Sequence, residues 1–203
     1  MVESDNIGRE SIHEQESFKP TSLTVWKQSL FFGCSGFTII DHCGNLRYRV
    51  DNYAGHRRME DIVLMDATGK PLLTMRRKKM SWHKSWFVFD GEVDDECKMR
   101  PICCVRKCMN LILLWQSKVL ARVVFCISSS SDDRFDYTIE GSYGRRSYRV
   151  YDESCKVVVE IQRKAATLEG NTFGEDVFQL IIWPGFDPVL AMALVVLLDK
   201  IFS

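Results

Sequence analysis

Ten consecutive residues near the end of the chain, Val189-Leu190-Ala191-Met192-Ala193-Leu194-Val195-Val196-Leu197-Leu198, carry no polar side chain on any face of a helix. A helix on the surface of a globular protein keeps one polar side, so this one has to be enclosed all round. Its start is marked by Asp187, an N-cap carboxylate, and by Pro188 at the first helical position, where the missing N–H costs nothing. A bilayer is one possible enclosure. The stretch as far as Phe202 would measure only about 22 Å at 1.5 Å per residue, against a hydrocarbon core of about 30 Å, and Asp199-Lys200 interrupts it. The remaining enclosure is the protein's own fold. Burying ten such side chains gains on the order of 20 kcal/mol gross, beside a net domain stability of about 5 to 15 kcal/mol. Val189, Leu190, Leu194, Val195, Leu197 and Leu198 are therefore expected in the core.

The rest of the chain supplies material for the wrapping. In Leu46-Arg47-Tyr48-Arg49-Val50-Asp51, apolar and charged residues alternate, the mark of a half-buried strand. Asp66-Ala67-Thr68-Gly69-Lys70 has the Asx and Gly chemistry of a tight turn between Ile62-Val63-Leu64-Met65 and Leu72-Leu73-Thr74-Met75. Similar short runs recur in the region Val25 to Ile40 and at Ser85 to Phe89, Met99 to Arg106, Leu111 to Trp115, Val119 to Ile127, Phe135 to Glu140, Ser147 to Tyr151, Val157 to Gln162 and Val177 to Trp183. About a dozen strands would close into a barrel too wide for their own side chains to fill, and a central helix solves that problem. The expected fold is mainly β: a closed antiparallel barrel of about twelve strands around a buried hydrophobic C-terminal helix. Residues 1–22 are polar and read as a flexible arm, with residues 23–203 as one domain.

Part of the chain also looks duplicated. Phe37-Thr38-Ile39, Gly44 and Tyr48-Arg49-Val50 return one hundred residues later as Tyr137-Thr138-Ile139, Gly144 and Tyr148-Arg149-Val150. A second match, at an offset of 86, pairs Asp66, Lys70, Arg77 and Lys78 with Asp152, Lys156, Arg163 and Lys164. The offsets conflict, so either a strand was lost or shared hairpin chemistry imitates homology.

Basic and acidic residues both number 27, which leaves no global field toward nucleic acid or an anionic surface, so any such attraction has to be local. The acidic, polar start lacks the basic and apolar run of a signal peptide, and the expected location is cytoplasmic. Eight cysteines in a chain of this kind are expected mostly as reduced, buried thiols. Cys97, Cys103, Cys104 and Cys108 lack the paired C-x-x-C spacing of a zinc site. The four histidines have no i, i+4 partner, and Gly33-Cys34-Ser35-Gly36 fails as a nucleophile elbow because Phe37 stands where the last glycine belongs. No catalytic residue, metal or cofactor is expected.

Two groups of residues remain as candidates. Arg76-Arg77-Lys78-Lys79, followed by Trp82, His83 and Trp86, could meet an anionic lipid head group, with Arg145-Arg146 and Arg163-Lys164 joining if the fold brings them together. The rival reading is a solvated strand end. Cys103 and Cys104, flanked by Arg100, Arg106 and Lys107, could carry a reversible acyl anchor, the rival being buried thiols.

Several blocks resemble the plant LURP-one-related proteins: Thr24-Val25-Trp26-Lys27-Gln28-Ser29-Leu30, Gly36-Phe37-Thr38, Tyr48-Arg49-Val50-Asp51-Asn52-Tyr53, Leu64-Met65-Asp66 with Gly69-Lys70-Pro71-Leu72-Leu73, Arg76-Arg77-Lys78-Lys79, Ile139-Glu140-Gly141-Ser142-Tyr143, and Pro184-Gly185-Phe186-Asp187-Pro188 with Leu190-Ala191-Met192-Ala193-Leu194. The resemblance implies a tubby-like fold, a relation to phospholipid scramblases and to membrane-tethered tubby-like transcription factors, and no established biochemical activity. Asp94 to Met109 and Ser128 to Asp133 fit the pattern least. The resulting expectation is a monomeric, non-enzymatic module that binds anionic phospholipid at the cytoplasmic face of the plasma membrane, with a role in plant defence signalling and a nuclear role left open. A protein-interaction scaffold without lipid binding and a small-ligand carrier are the alternatives.

Overall fold

The computed structural model describes residues 19–31, 34–52, 61–79, 84–93, 99–108, 118–126, 135–164 and 176–203. Twelve strands follow one another in chain order: β1 (Thr21–Trp26), β2 (Ser35–Ile40), β3 (Leu46–Asn52), β4 (Asp61–Asp66), β5 (Pro71–Arg77), β6 (Ser85–Asp90), β7 (Cys103–Lys107), β8 (Val119–Phe125), β9 (Tyr137–Ser142), β10 (Ser147–Asp152), β11 (Val157–Arg163) and β12 (Val177–Ile182). Each pairs antiparallel with its sequence neighbours, and β1 closes the ring on β12, from Thr21 opposite Ile182 to Trp26 opposite Val177. Thr21 and Ser22 thus belong to the sheet although both are polar, and the domain begins two residues before the position expected from hydropathy. The strand expected at Leu111 to Trp115, the arm before residue 19, Trp82, His83, Cys97 and the run Ser128 to Asp133 lie outside the described residues.

The helix α1 (Pro188–Phe202) starts as its sequence dictates: the Asp187 carboxylate accepts from the N–H of Val189, and Pro188 occupies the first turn. Leu190 to Leu198 are buried without interruption, whereas Val189 is only partly covered at the mouth of the barrel. Inward side chains from all twelve strands join the helix in one core, among them Val25, Ile39, Val50, Leu64, Met75, Val88, Val105, Val123, Ile139, Tyr148, Ile161 and Leu180. Asp199-Lys200 does not end the helix, which runs on to Phe202 with Asp199 buried. Among the described residues no helix is long and apolar enough to cross a membrane.

Three hairpin turns repeat one design. Asp41, Asp66 and Asp152 each receive a backbone N–H from the residue four positions on, at 2.9, 3.0 and 2.9 Å on one carboxylate oxygen. The residue before that donor takes a positive φ: Gly44 at 85°, Gly69 at 93° and Cys155 at 60°. In each hairpin the register slips by one residue beside the turn. The offset of 86 therefore matches two turns of one chemical type, β4–β5 and β10–β11. The offset of one hundred joins unlike turns, because in β9–β10 the positive φ belongs to Arg146 (49°) and not to Gly144. Shared hairpin chemistry accounts for the apparent duplication, since β10 cannot be the counterpart of both β3 and β4.

Alternation of direction sorts every connection to one of two ends. The turns β2–β3, β4–β5, β6–β7, β8–β9 and β10–β11 lie at the end where α1 enters, and β1–β2, β3–β4, β5–β6, β7–β8, β9–β10 and β11–β12 at the end where it leaves.

Candidate functional site

The exit end is built around Asp199, which the last turns of α1 bring to the rim. Its carboxylate accepts a hydrogen bond from Tyr143 Oη at 2.5 Å, and Lys27 Nζ lies 2.8 Å and Arg146 Nη2 3.5 Å away. Burial disfavours its charge. The hydrogen bonds from Lys27 and Tyr143, with the charges of Lys27 and Arg146, outweigh that penalty and hold the carboxyl below its ordinary value. These residues come from the end of β1, the β9–β10 turn and α1, so closure of the ring is what assembles them.

Arg146 is held firmly. Its guanidinium lies over the rings of Tyr143 (4.7 Å) and Phe178 (5.1 Å), and Tyr143 in turn stacks on Phe202. Only 12% of the side chain is exposed, yet Nη1 has no hydrogen-bond partner, and the Tyr148 hydroxyl is also buried and unpartnered. Such atoms are costly unless something meets them. Arg146 faces a cleft of about 360 Å³ whose walls include Lys27, Tyr143, Gly144, Arg163 and Asp176.

Three apolar side chains are exposed nearby in the chain: Trp26 at the end of β1 (42% exposed), and Leu30 (52%) and Phe31 (42%) on the β1–β2 connection. The loop is tied down, not loose. Ser29 Oγ donates to Asp51 on β3 at 2.5 Å, the Phe31 N–H donates to Ser29 Oγ, and Thr38 Oγ1 donates to the Gln28 carbonyl. Gly36 is required beneath it, because a Cβ there would meet the Val50 carbonyl oxygen at 1.9 Å. Arg49 lies over the Phe31 ring at 5.2 Å. Sequence reasoning missed Trp26, Leu30 and Phe31; the signal for the last two was an apolar pair, Leu30-Phe31, in a connection between strands that is normally polar.

Among the described residues the exit end also gathers cations, Lys27, Arg77, Lys78, Lys79, Lys84, Lys107, Lys118, Arg145, Arg146, Arg163, Lys164 and Lys200, with Asp51, Asp61, Asp176 and Asp199 as the acids there. The basic segments at 76–79 and 163–164 share this end but not a wall, since β5 and β11 stand six strands apart either way round the ring. Arg76 forks onto Asp61 at 2.7 and 2.6 Å, Lys78 lies over Phe87, and Arg77, Lys78 and Lys79 are exposed. Arg163 lines the cleft, while Lys164 after β11 reaches past β12 to donate to Thr24 Oγ1 on β1. Trp86, expected as an interfacial aromatic, is 8% exposed and belongs to the core.

Cys103 and Cys104 are buried in β7. Burial pushes the Cys103 thiol up to about 12, which leaves no thiolate at neutral pH for an acyl transfer in the folded barrel. The burial of both side chains matches the reading of the pair as buried thiols. At the entry end Phe186 packs edge-on against Tyr137, with Phe125 behind it, and the three help to line a smaller cleft of about 250 Å³ beside Ile102 and Leu190.

A family model described as LURP-one-related matches residues 21–199. Two Arabidopsis thaliana relatives are protein LURP-one-related 8, 44% identical over 89% of this chain and 86% of its own length, and protein LURP-one-related 17, 45% identical over 90% and 84%. An X-ray structure of another Arabidopsis thaliana protein superposes with a TM-score of 0.64 at 24% identity, covering 93% of this chain and 96% of that one.

Proposed function

Taking as premise that the chain belongs to the LURP-one-related family, we propose that it is a non-enzymatic module whose exit end docks on an anionic phospholipid surface. One observation carries the reading: Trp26 stands exposed at the end where the cations collect, beside Lys27 and two residues after Thr24, which Lys164 bonds, and the connection that leaves this end carries the exposed Leu30 and Phe31 over the outer wall of β2 and β3. An apolar tip that enters the head-group region, ringed by cations worth about 1 kcal/mol each near an anionic leaflet, is the pattern of a peripheral membrane protein. Neither part suffices alone. The helix fills the barrel axis, which is the space a ligand carrier would use. A role in defence signalling would act through such recruitment.

Co-sedimentation with vesicles tests it. Wild-type protein is expected to pellet with phosphatidylcholine–phosphatidylserine vesicles at low salt, to be released as salt rises, and to ignore pure phosphatidylcholine. Absence of binding to the anionic vesicles at low salt would refute the reading.

A further inference from the structure

We infer that the cleft at the exit end is a phosphate-group site, with Arg146 as its fixed guanidinium anchor and Lys27 and Arg163 as flanking cations. For its biological ligand, a lipid head group, the inference rests on the membrane reading; its chemistry rests on separate observations.

Arg146 is the anchor because its geometry is already set. Two aromatic rings hold the guanidinium plane, and Nη2 is directed at Asp199. Nη1 is buried without an acceptor, and other atoms of the same side chain line the open cleft. The residue also takes φ 49°, a left-handed conformation that a long side chain adopts only when its surroundings hold it there. An oxygen entering beside the guanidinium would supply the hydrogen bond that Nη1 lacks once the cleft wall gives way to admit it, with the two ring contacts kept.

The neighbours decide which anion fits. Among the described residues the cleft wall carries Lys27, Arg146 and Arg163 together with Asp176, and Asp199 pairs with Lys27 and Arg146. Asp199 already accepts from Tyr143 and pairs with Lys27, which mutes its repulsion. A carboxylate offers two oxygens in one plane and can satisfy one side of such a site. A phosphate offers oxygens in tetrahedral array and can meet a guanidinium fork and two further cations at once. At about 360 Å³ the cleft has room for the phosphate and the small polyol that would carry it.

The test has a soluble arm and a vesicle arm. Glycerol phosphate is titrated into isotopically labelled full-length protein while backbone resonances of Tyr143, Gly144 and Arg146 are followed. In parallel, vesicles containing phosphatidic acid are compared with vesicles of equal charge containing phosphatidylserine. Saturable shifts at those residues together with a preference for phosphatidic acid are expected. Arg146→Lys, which keeps the charge and loses the fork, should weaken glycerol phosphate binding about tenfold. Arg163→Gln, outside the Asp199 network, supplies the same readout should Arg146→Lys unfold. Saturation by glycerol phosphate without a phosphatidic acid preference supports the site and assigns it to a soluble phosphate ester. No saturable shift and no phosphatidic acid preference overturns the inference, whereas vesicle binding that needs Leu30 and Phe31 would leave the membrane reading standing.

Discussion

The two ends of this barrel are closed by opposite means. At the entry end, the carboxylates of Asp41, Asp66, Asp152 and Asp187 are taken up by backbone N–H groups of their own turn or helix, and Phe186 packs edge-on against Tyr137. At the exit end, Asp199 is held by side chains from three distant segments, Arg146 Nη1 and Tyr148 Oη lack partners, and three large apolar side chains face solvent. The entry end also holds a cleft, of about 250 Å³, and exposes Met99 and Trp183, so the two ends differ in how their polar groups are satisfied. Incomplete satisfaction beside exposed apolar surface is what a binding surface looks like before its partner arrives.

The comparison breaks most completely if its axis is removed. Leu194→Asp places a carboxylate at the centre of the core, and the variant should give no cooperatively folded protein by circular dichroism, since the desolvation penalty rivals the whole stability. Next in size is the latch: Asp199→Asn leaves Lys27 and Arg146 without their counter-charge and should cost about 2 to 3 kcal/mol in denaturant titration. Asp66→Ala, in an exposed entry-end turn, should cost clearly less.

Acidity sharpens the contrast further. The folded Asp199 carboxyl titrates below its unfolded value, so its contribution is fully present above about pH 4, the ordinary carboxylate range, and is lost as pH falls through the folded value. Asp199→Asn should therefore flatten the acid limb of the stability profile relative to wild type. A parallel, unflattened limb would mean that other carboxylates dominate it.

Smaller still are effects confined to the surface. Leu30→Ser with Phe31→Ser should reduce vesicle binding severalfold and leave the melting temperature within a degree or two, whereas Trp183→Ser at the entry end should leave binding unchanged. At neutral pH, iodoacetamide should label the exposed Cys43, Cys126 and Cys155 and spare Cys103, as read by mass spectrometry of the native protein.

Much of the fold was legible because its signals are local. The unbroken apolar run from Leu190 to Leu198, the Asp187-Pro188 start and the alternation in Leu46 to Val50 each specify their element without reference to the rest. The site was not legible in this way. Lys27 and Asp199 lie at opposite ends of the sequence and meet only because β1 closes on β12 and α1 returns through the ring. Trp86 misled because β6 is buried on both faces, from Ser85 to Phe89 with only Phe87 partly open, so alternation gave no warning that an aromatic was internal. The basic segments after β5 and β11 were visible as charge, but their placement on opposite walls depends on the order of strands round the ring.

The polarity of the barrel can be measured directly with an environment-sensitive fluorophore at Leu30→Cys or at Ser154→Cys, in a background where the exposed Cys43, Cys126 and Cys155 are serine. On addition of phosphatidylserine vesicles, the probe at position 30 should shift to the blue and be quenched by nitroxide lipids, while the probe at position 154 keeps its aqueous spectrum. An unchanged spectrum at position 30, or insertion of position 154 in its place, would contradict the assignment of the exit end as the membrane-facing one.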